Sequence, residues 1–429
     1  MSAFGYRGGE LWVEEVPVRE IAEGAGTPVY IYSASAIEAR VRDLQRAFGS
    51  LPVRLCYAVK ANPHLAVLRL LARLGMGAET VSGGEIERAL AAGIPPERIV
   101  FSGVGKEEEE LRFAIARGVL QINVESRDEL RLAGALAREM GRSAAVALRI
   151  NPAVEASTHE KIQTGREGDK FGIPIAEARE AFLEAQACPG LVPVGLHVHV
   201  GSQILDIHSF ARSYGIAAEL FETLRADGVP LVRLDLGGGF GIPYRPEDRG
   251  FDLDGLAALL EAVWDRLRCE LILEPGRLVV GEAGVLLTRV LARKERGVRR
   301  WLVVDAGMHT LLRPALYDAW HGIRPVREPA SAQEWEEVEV VGPICESGDV
   351  LGRGRRLPVL QRGDLVVLEA VGAYGATMAS SYNSRPRAAE VLVRGRRWDI
   401  IKPRRPARAE FADERVPSWI EEEGPAGEG

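Results

Sequence analysis

The chain has 429 residues, 46% of them hydrophobic and 27% charged, with 54 basic against 61 acidic residues for a net charge of -7. That length holds two domains with ample cores, and the composition is that of a soluble globular protein. The acidic balance leaves no basic footprint for nucleic acid, and no apolar run reaches the roughly 20 residues that span a bilayer. The N-terminus, Met1-Ser-Ala-Phe-Gly-Tyr-Arg7, lacks the charged-then-apolar plan of a signal peptide. Cys56, Cys188, Cys269 and Cys345 are scattered with no CxxC pair. They are expected as reduced thiols in a cytoplasm, not as a disulfide frame or a zinc site.

In chain order, Glu10–Val13 and Val29–Tyr32 come first as strand candidates, followed by a helical pattern over Ala34–Phe48. Apolar runs at Arg54–Val59, Ala78–Val81, Ile99–Ser102, Gln121–Val124, Ala145–Ile150, Val194–His199, Val232–Leu236 and Glu270–Leu273 then alternate with helical stretches such as Gly84–Ala92. Near-continuous apolarity suits strands covered on both faces, and eight βα units over roughly 250 residues fit a (β/α)8 barrel. Beyond Gly281 the pattern turns to strands joined by Gly/Pro turns: Val285–Ala292, Trp301–Asp305, Glu336–Val341, Asp364–Ala370 and Ala389–Val393. The fold class expected is therefore α/β, a TIM-like barrel plus a β-rich domain. Residues 1–33 join that β domain, 34–280 form the barrel, 281–403 complete the β domain, and 404–429 form an acidic, Gly-rich tail.

In such barrels, side chains at the carboxyl ends of strands are the ones available for chemistry. Lys60, Ser82, His199, Gly237 and Glu274 all fall there. Lys60 follows Leu55-Cys-Tyr-Ala-Val59, apolar surroundings expected to lower its pKa by desolvation. Gly237-Gly-Gly-Phe-Gly241 follows the seventh strand, where barrels bind phosphate through backbone N–H groups; a plain turn is the alternative. Glu274-Pro-Gly-Arg277 adds a carboxylate able to meet a ring nitrogen, and a guanidinium. His197 and His199 point to one face of their strand. With Asp206 and His208 they raise metal binding as a competing idea, but no third ligand stands at a convincing spacing. His199 suits stacking on a cofactor ring, and His197 a hydrogen-bonded core position. Cys345, in Pro343-Ile-Cys-Glu-Ser-Gly-Asp349, has acidic neighbours that suit a proton donor better than a thiolate nucleophile. Amine, anion cradle, carboxylate and late cysteine together point to pyridoxal phosphate chemistry.

The residues match a family. From about Gly26 to Gly395 the chain resembles the diaminopimelate decarboxylases, pyridoxal phosphate enzymes of the alanine racemase-like barrel class. The resemblance rests on Tyr57-Ala-Val-Lys-Ala-Asn62, Val81-Ser-Gly-Gly-Glu85, Arg149-Ile-Asn-Pro152, Lys170-Phe-Gly172, His197-Val-His-Val-Gly-Ser-Gln203 and Glu274-Pro-Gly-Arg277. It continues through Leu312-Arg-Pro-Ala-Leu-Tyr317, Gly342-Pro-Ile-Cys-Glu-Ser-Gly-Asp349 and Tyr382-Asn-Ser-Arg-Pro386.

The resemblance implies that Lys60 is the Schiff-base lysine and His199 the ring-stacking residue. It implies that Ser202, Gly239 and Gly276 bind the cofactor phosphate and that Glu274 meets the pyridine nitrogen. Arg277, Arg313 and Tyr317 would hold a substrate carboxylate, Glu346 the distal ammonium, and Tyr374 both cofactor and substrate, with Arg277 also in the cofactor site. Cys345 would be the proton donor, delivered across a homodimer so that two chains share each site. The expected reaction converts meso-2,6-diaminopimelate to L-lysine and CO2, the last step of lysine biosynthesis. Four positions depart from the pattern: Glu79 where an aspartate is usual, His309-Thr310 in place of Asn-Asp, and Ser381 in place of an asparagine. The alternatives are a related decarboxylase of carboxynorspermidine, ornithine or arginine, an amino-acid racemase, and a non-catalytic barrel regulator. Leu312-Arg-Pro-Ala-Leu-Tyr317 favours a dicarboxylic substrate, the Cys345-Glu346 pair argues against a racemase, and retention of Lys60 and Cys345 argues against the regulator.

Overall fold

The computed structural model describes residues 3–154, 164–165, 168–330 and 334–422. Eight strands form a barrel: β1 (Val53–Ala58), β2 (Gly77–Thr80), β3 (Ile99–Phe101), β4 (Gln121–Val124), β5 (Ala144–Asn151), β6 (Leu191–His197), β7 (Arg233–Asp235) and β8 (Glu270–Leu273). Each pairs in parallel with the next, and β8 pairs with β1, so the sheet closes without an edge. All eight coincide with the strands expected from the sequence, to within a few residues at their ends. Their side chains and those of the surrounding helices share one apolar core.

Local capping explains where the helices begin. Ser33 accepts the N–H of Ala36 at 3.0 Å and starts the helix Ala34–Ala47. Ser82 accepts the N–H of Glu85 at 3.2 Å, while the Glu85 carboxylate accepts the N–H of Val81 at 2.9 Å. This reciprocal cap starts the helix Gly83–Ala91 and explains why Ser82 and Glu85 stand three residues apart.

Nine further strands build a second large sheet. Its order is Val350–Pro358, Trp335–Val341, Arg299–Val304, Gly284–Arg296, Val29–Ser33, Ala389–Arg394 and Arg397–Lys402, with Leu365–Leu368 pairing Gly284–Arg296 and Ile323–Pro325 pairing Leu365–Leu368. Val29–Ser33 lies in the middle and faces a core on each side: Val29 and Ile31 join one, Tyr30 and Tyr32 the other. Val29–Tyr32 thus enters the β-rich sheet as expected. Glu10–Val13 does not, because the tight turn at Glu14-Glu15 folds it onto Val16–Pro17, and with Phe4–Arg7 they make a small antiparallel sheet. That sheet reaches the large one through a bridge between Glu10 and Arg327 and the Leu11 N–H to Val326 oxygen bond at 2.8 Å.

The chain enters and leaves the barrel side by side, where Ser33 N–H donates to Ala283 oxygen at 2.8 Å. After Pro403, Arg404 donates to the Pro28 carbonyl at 2.8 Å and Glu410 accepts from Ser381 at 2.6 Å. Gly424–Gly429 of the acidic tail, with Glu423, lie outside the described residues. Among the described residues, no helix is long and apolar enough to cross a membrane.

Candidate active site

A cavity of about 760 Å³ opens at the carboxyl ends of the barrel strands, between the barrel and the β-rich sheet. Lys60, His199, Ser202, Glu274, Arg277, Arg313, Tyr317 and Tyr374 all line it. So do Glu79, Arg149, His197, Tyr244 and Trp320, most of which sequence reasoning did not assign to the site. Barrel and sheet are tied together beside the lysine: Tyr374 N–H donates to Ala61 oxygen at 2.8 Å, and the Asn62 amide donates to Gly372 oxygen at 3.2 Å.

Lys60 sits in the single turn Val59–Ala61 that ends β1. Its Nζ lies 2.6 Å from the carboxylate of Glu79, a side chain that is 1% exposed. The expected depression of its pKa is not found. Burial does act to lower it, but the charges of Glu79, Tyr374 and Glu274 outweigh burial and raise it. Burial pushes Glu79 up to about 7 against the pull of Lys60. Glu79 thus sets a proton acceptor, raised by burial, directly beside the amine.

Glu274 is 4% exposed, and among the described residues its buried Oε1 has no hydrogen-bond partner. Burial opposes its ionisation, but His197, at 3.6 Å from Oε2, and Lys60 hold it down at about 2. Asp235 moves the other way: burial and the Glu274 charge raise it well above the usual carboxylate range. Burial and the neighbouring charges thus push the two carboxyls in opposite directions. His197, Asp235 and Glu274 bring ligand atoms within 4.8 Å of one another, a trio that sequence spacing could not reveal because its members stand at the ends of three different strands. Asp235 accepts from the amides of Gln121 at 3.3 Å and Asn123 at 3.2 Å, and from the Gly237 N–H at 3.1 Å, so hydrogen bonds hold the cluster. Asp206 serves elsewhere, capping the helix Ile207–Ala226.

His199 accepts the Gly238 N–H on Nδ1 at 3.2 Å, which places any ring proton of the neutral form on Nε2. Burial, then Arg149 and Lys60, lower its pKa well below the usual value, so the ring is a neutral plate. Gly237 and Gly239 adopt left-handed φ of 66° and 96°. Gly239 and Gly276 lie behind the cavity wall. A Cβ on Gly239 would strike the Gly201 carbonyl, and one on Gly276 would lie 2.9 Å from the Ala58 Cβ.

Arg277 donates to the Tyr244 hydroxyl at 2.6 Å and to the Ser202 hydroxyl at 3.0 Å, with its guanidinium 4.7 Å from the Tyr374 ring centre. Arg313, 5% exposed, stacks 4.7 Å from the Tyr244 ring. Cys345 is exposed, Glu346 accepts from the Tyr382 hydroxyl, and neither lines the cavity of its own chain. Their loop is fixed by Asp349, whose carboxylate accepts from Met308 N–H at 2.6 Å and Ile344 N–H at 2.7 Å. The motif aspartate is therefore a structural staple. His309 and Thr310 frame the loop before Arg313, with Thr310 oxygen accepting from the Tyr30 hydroxyl at 2.6 Å, and they too lie outside the cavity.

The model of the pyridoxal-dependent decarboxylases, covering their pyridoxal-binding domain, matches residues 34–281. A diaminopimelate decarboxylase of Aquifex aeolicus is 44% identical, the match covering 93% of this chain and 94% of that one. The chain belongs to the diaminopimelate decarboxylase family. A second member, from Zymomonas mobilis, is 42% identical over 98% of this chain and 100% of its own. The crystal structure of the M. jannaschii family member with L-lysine superposes with a TM-score of 0.93 at 36% identity, covering 98% of this chain and 100% of that one. Family membership makes the chain a pyridoxal phosphate-dependent carboxy-lyase. The cavity fits that cofactor: an amine, an orphaned buried carboxylate oxygen and a neutral imidazole plate converge beside a glycine loop.

Proposed function

We propose that this protein decarboxylates meso-2,6-diaminopimelate to L-lysine and CO2. The observation that carries this reading is that one cavity holds the Lys60 amine and the buried Glu274 carboxylate together with the guanidinium groups of Arg277 and Arg313, neither of which pairs with a carboxylate among the described residues. An amino acid bearing a second carboxylate suits that layout, whereas ornithine or arginine would bring a cation to the two arginines.

In this reading Lys60 would hold the cofactor through Nζ, and Glu79 would accept the proton that the amine must lose. His199 would support the ring, Glu274 would pair with the pyridine nitrogen, and Ser202, Gly239, Gly276 and Arg277 would form the phosphate side. When bound, the cofactor supplies the electron sink for loss of CO2. Arg277, Arg313, Tyr317 and Tyr374 orient the substrate, excluding poses in which the wrong carboxylate faces the amine. Cys345 returns a proton to the α-carbon, and Glu346 binds the distal ammonium. Because both are exposed and outside their own chain's cavity, a homodimer with shared sites is part of the proposal. We further take residues 34–280 as the cofactor-binding barrel, 1–33 with 281–403 as the β domain, 404–429 as a tail, and the cytoplasm as the compartment.

Incubation with pyridoxal phosphate and meso-diaminopimelate should yield lysine and CO2 in equal amounts. Ornithine, arginine and a carboxylated polyamine serve as comparison substrates. Faster turnover of any of these than of diaminopimelate would overturn the assignment.

A further inference from the structure

Of the four arginines that line the cavity, Arg277 and Arg313 share an unusual setting. Arg149 is paired with Glu125 at 2.8 Å, and Arg245 lies 3.9 Å from Glu247. Among the described residues no carboxylate pairs with Arg277 or Arg313. Arg277 is held by two hydroxyls, and Arg313 by an imidazole: Arg313 Nη1 lies 3.0 Å from His321 Nε2.

His321 is fully buried and fixed from its other side, where Nδ1 lies 2.8 Å from the Glu369 carbonyl oxygen. A carbonyl can only accept, so Nδ1 must carry the proton. Nε2 then offers a lone pair to the guanidinium, which can only donate. Backbone pairing holds the chain on both sides. His321 directly precedes Gly322 and the strand Ile323–Pro325, which pairs with Leu365–Leu368, and Glu369 N–H returns to Gly322 oxygen at 2.8 Å. The Tyr244 ring meets the imidazole edge-on at 5.2 Å and 86°. His321 does not itself line the cavity.

We propose that His321 is a positioning residue that fixes Arg313 for the distal carboxylate of the substrate while leaving the arginine's charge uncompensated. An aspartate or glutamate at this place would orient the guanidinium equally well. It would also satisfy the charge that the substrate must meet, and would compete with it. A neutral acceptor gives orientation without competition, and spends only one of the five guanidinium donors. Burial and the nearby Arg313 hold His321 down at about 3, so it stays the neutral acceptor throughout the working range.

The inference rests on the functional reading above, and steady-state kinetics with meso-diaminopimelate test the two separately. His321→Leu should raise KM about tenfold, the worth of a charged hydrogen bond, with kcat changed less than about twofold. His321→Gln, which can accept from Arg313 and donate to the Glu369 carbonyl, should bring KM back to within about threefold of wild type. His321→Glu should raise KM at least as much as the leucine does, although it restores a hydrogen bond. In an Arg313→Ala background, His321→Leu should add nothing. A role in packing alone would not separate glutamine from glutamate, so that comparison decides the matter even if the leucine variant folds poorly. Unchanged KM in His321→Leu, a glutamate variant as good as glutamine, or a full leucine effect without Arg313 would each overturn the inference alone. Wild-type protein that does not turn over diaminopimelate would overturn the functional reading, and this inference with it.

Discussion

Gly276→Ala tests whether one close contact sets the geometry of the site. A Cβ at Gly276 would lie 2.9 Å from the Ala58 Cβ, 3.1 Å from the Ala61 Cβ and 3.5 Å from the Ala58 carbonyl oxygen. Non-bonded carbons settle at about 3.5–4.0 Å, so the two segments must part by about 0.5–1 Å. Neither alanine has a rotamer with which to turn aside. Ala58 and Ala61 bracket Lys60, and Gly276 lies between Glu274 and Arg277, so parting them carries the amine away from the carboxylate and the guanidinium. A misplacement near 1 Å costs about a hundredfold in rate, and that is the fall expected in kcat/KM. The assay is CO2 release, run beside a titration of cofactor binding by absorbance. Gly215→Ala is the control, because its Cβ would meet nothing within 4 Å in the middle of the helix Ile207–Ala226. There the substitution should stabilise by about 1 kcal/mol and leave activity alone. A Gly276→Ala protein with kcat/KM within about threefold of wild type and unchanged cofactor affinity would refute the reasoning.

Arg313→Ala should raise KM for diaminopimelate by about ten- to hundredfold, from loss of a charged hydrogen bond worth about 1.5–3 kcal/mol; unchanged KM and kcat would count against the substrate. Lys60→Ala and Cys345→Ala proteins, each inactive, should recover about one quarter of wild-type activity on equal mixing, because half the dimers are mixed and each has one intact site. If tagged co-purification shows that subunits exchange and no activity returns, sites are not shared. Stability should also depend on two histidines that burial keeps neutral, His309 at about 4 and His321 at about 3, the latter also through Arg313. Unfolded imidazoles titrate near about 6.5, so between that pH and the folded values the unfolded chain binds more protons and stability falls as pH falls. The thermal midpoint should therefore drop on acidification from about pH 7 to about pH 5, less steeply in His321→Gln, and equal slopes in the two proteins would contradict this.

The barrel was legible because its strands are covered on both faces, which leaves short apolar runs between amphipathic helices. The strands that escaped reading lack that signature. Val350–Pro358 carries three arginines and two glycines in nine residues, and Arg397–Lys402 is an exposed edge strand with a polar face. Eight of the expected site residues line the cavity because strand ends and motifs point to them directly. Ser82 and Asp349 also stand in motifs, yet one caps a helix and the other staples a loop. A motif marks a fixed residue without saying whether chemistry or folding fixes it. Tyr244 and His321 left no signal that could be read, because their meaning lies in contacts between the barrel and the sheet.

Those contacts divide the labour of the site. Lys60, Glu79, His199 and Glu274 all belong to barrel strand ends, whereas Arg313, Tyr317 and Tyr374 come from the segments of the β-rich sheet. Tyr244 joins the two sets, bonded to Arg277 and stacked on Arg313. The sheet is held to the barrel at the lysine itself, through Tyr374 and Asn62, and again where Ser33 meets Ala283. Tyr374 accepts a left-handed φ of 56° there, a strain that the surrounding bonds must sustain. Arg313 opens a short helix between strands of that sheet, Arg313–Tyr317, and its partner there is a neutral histidine outside the cavity. In the proposed reading, the charge that meets the distal carboxylate is thereby set without placing a new group beside the amine.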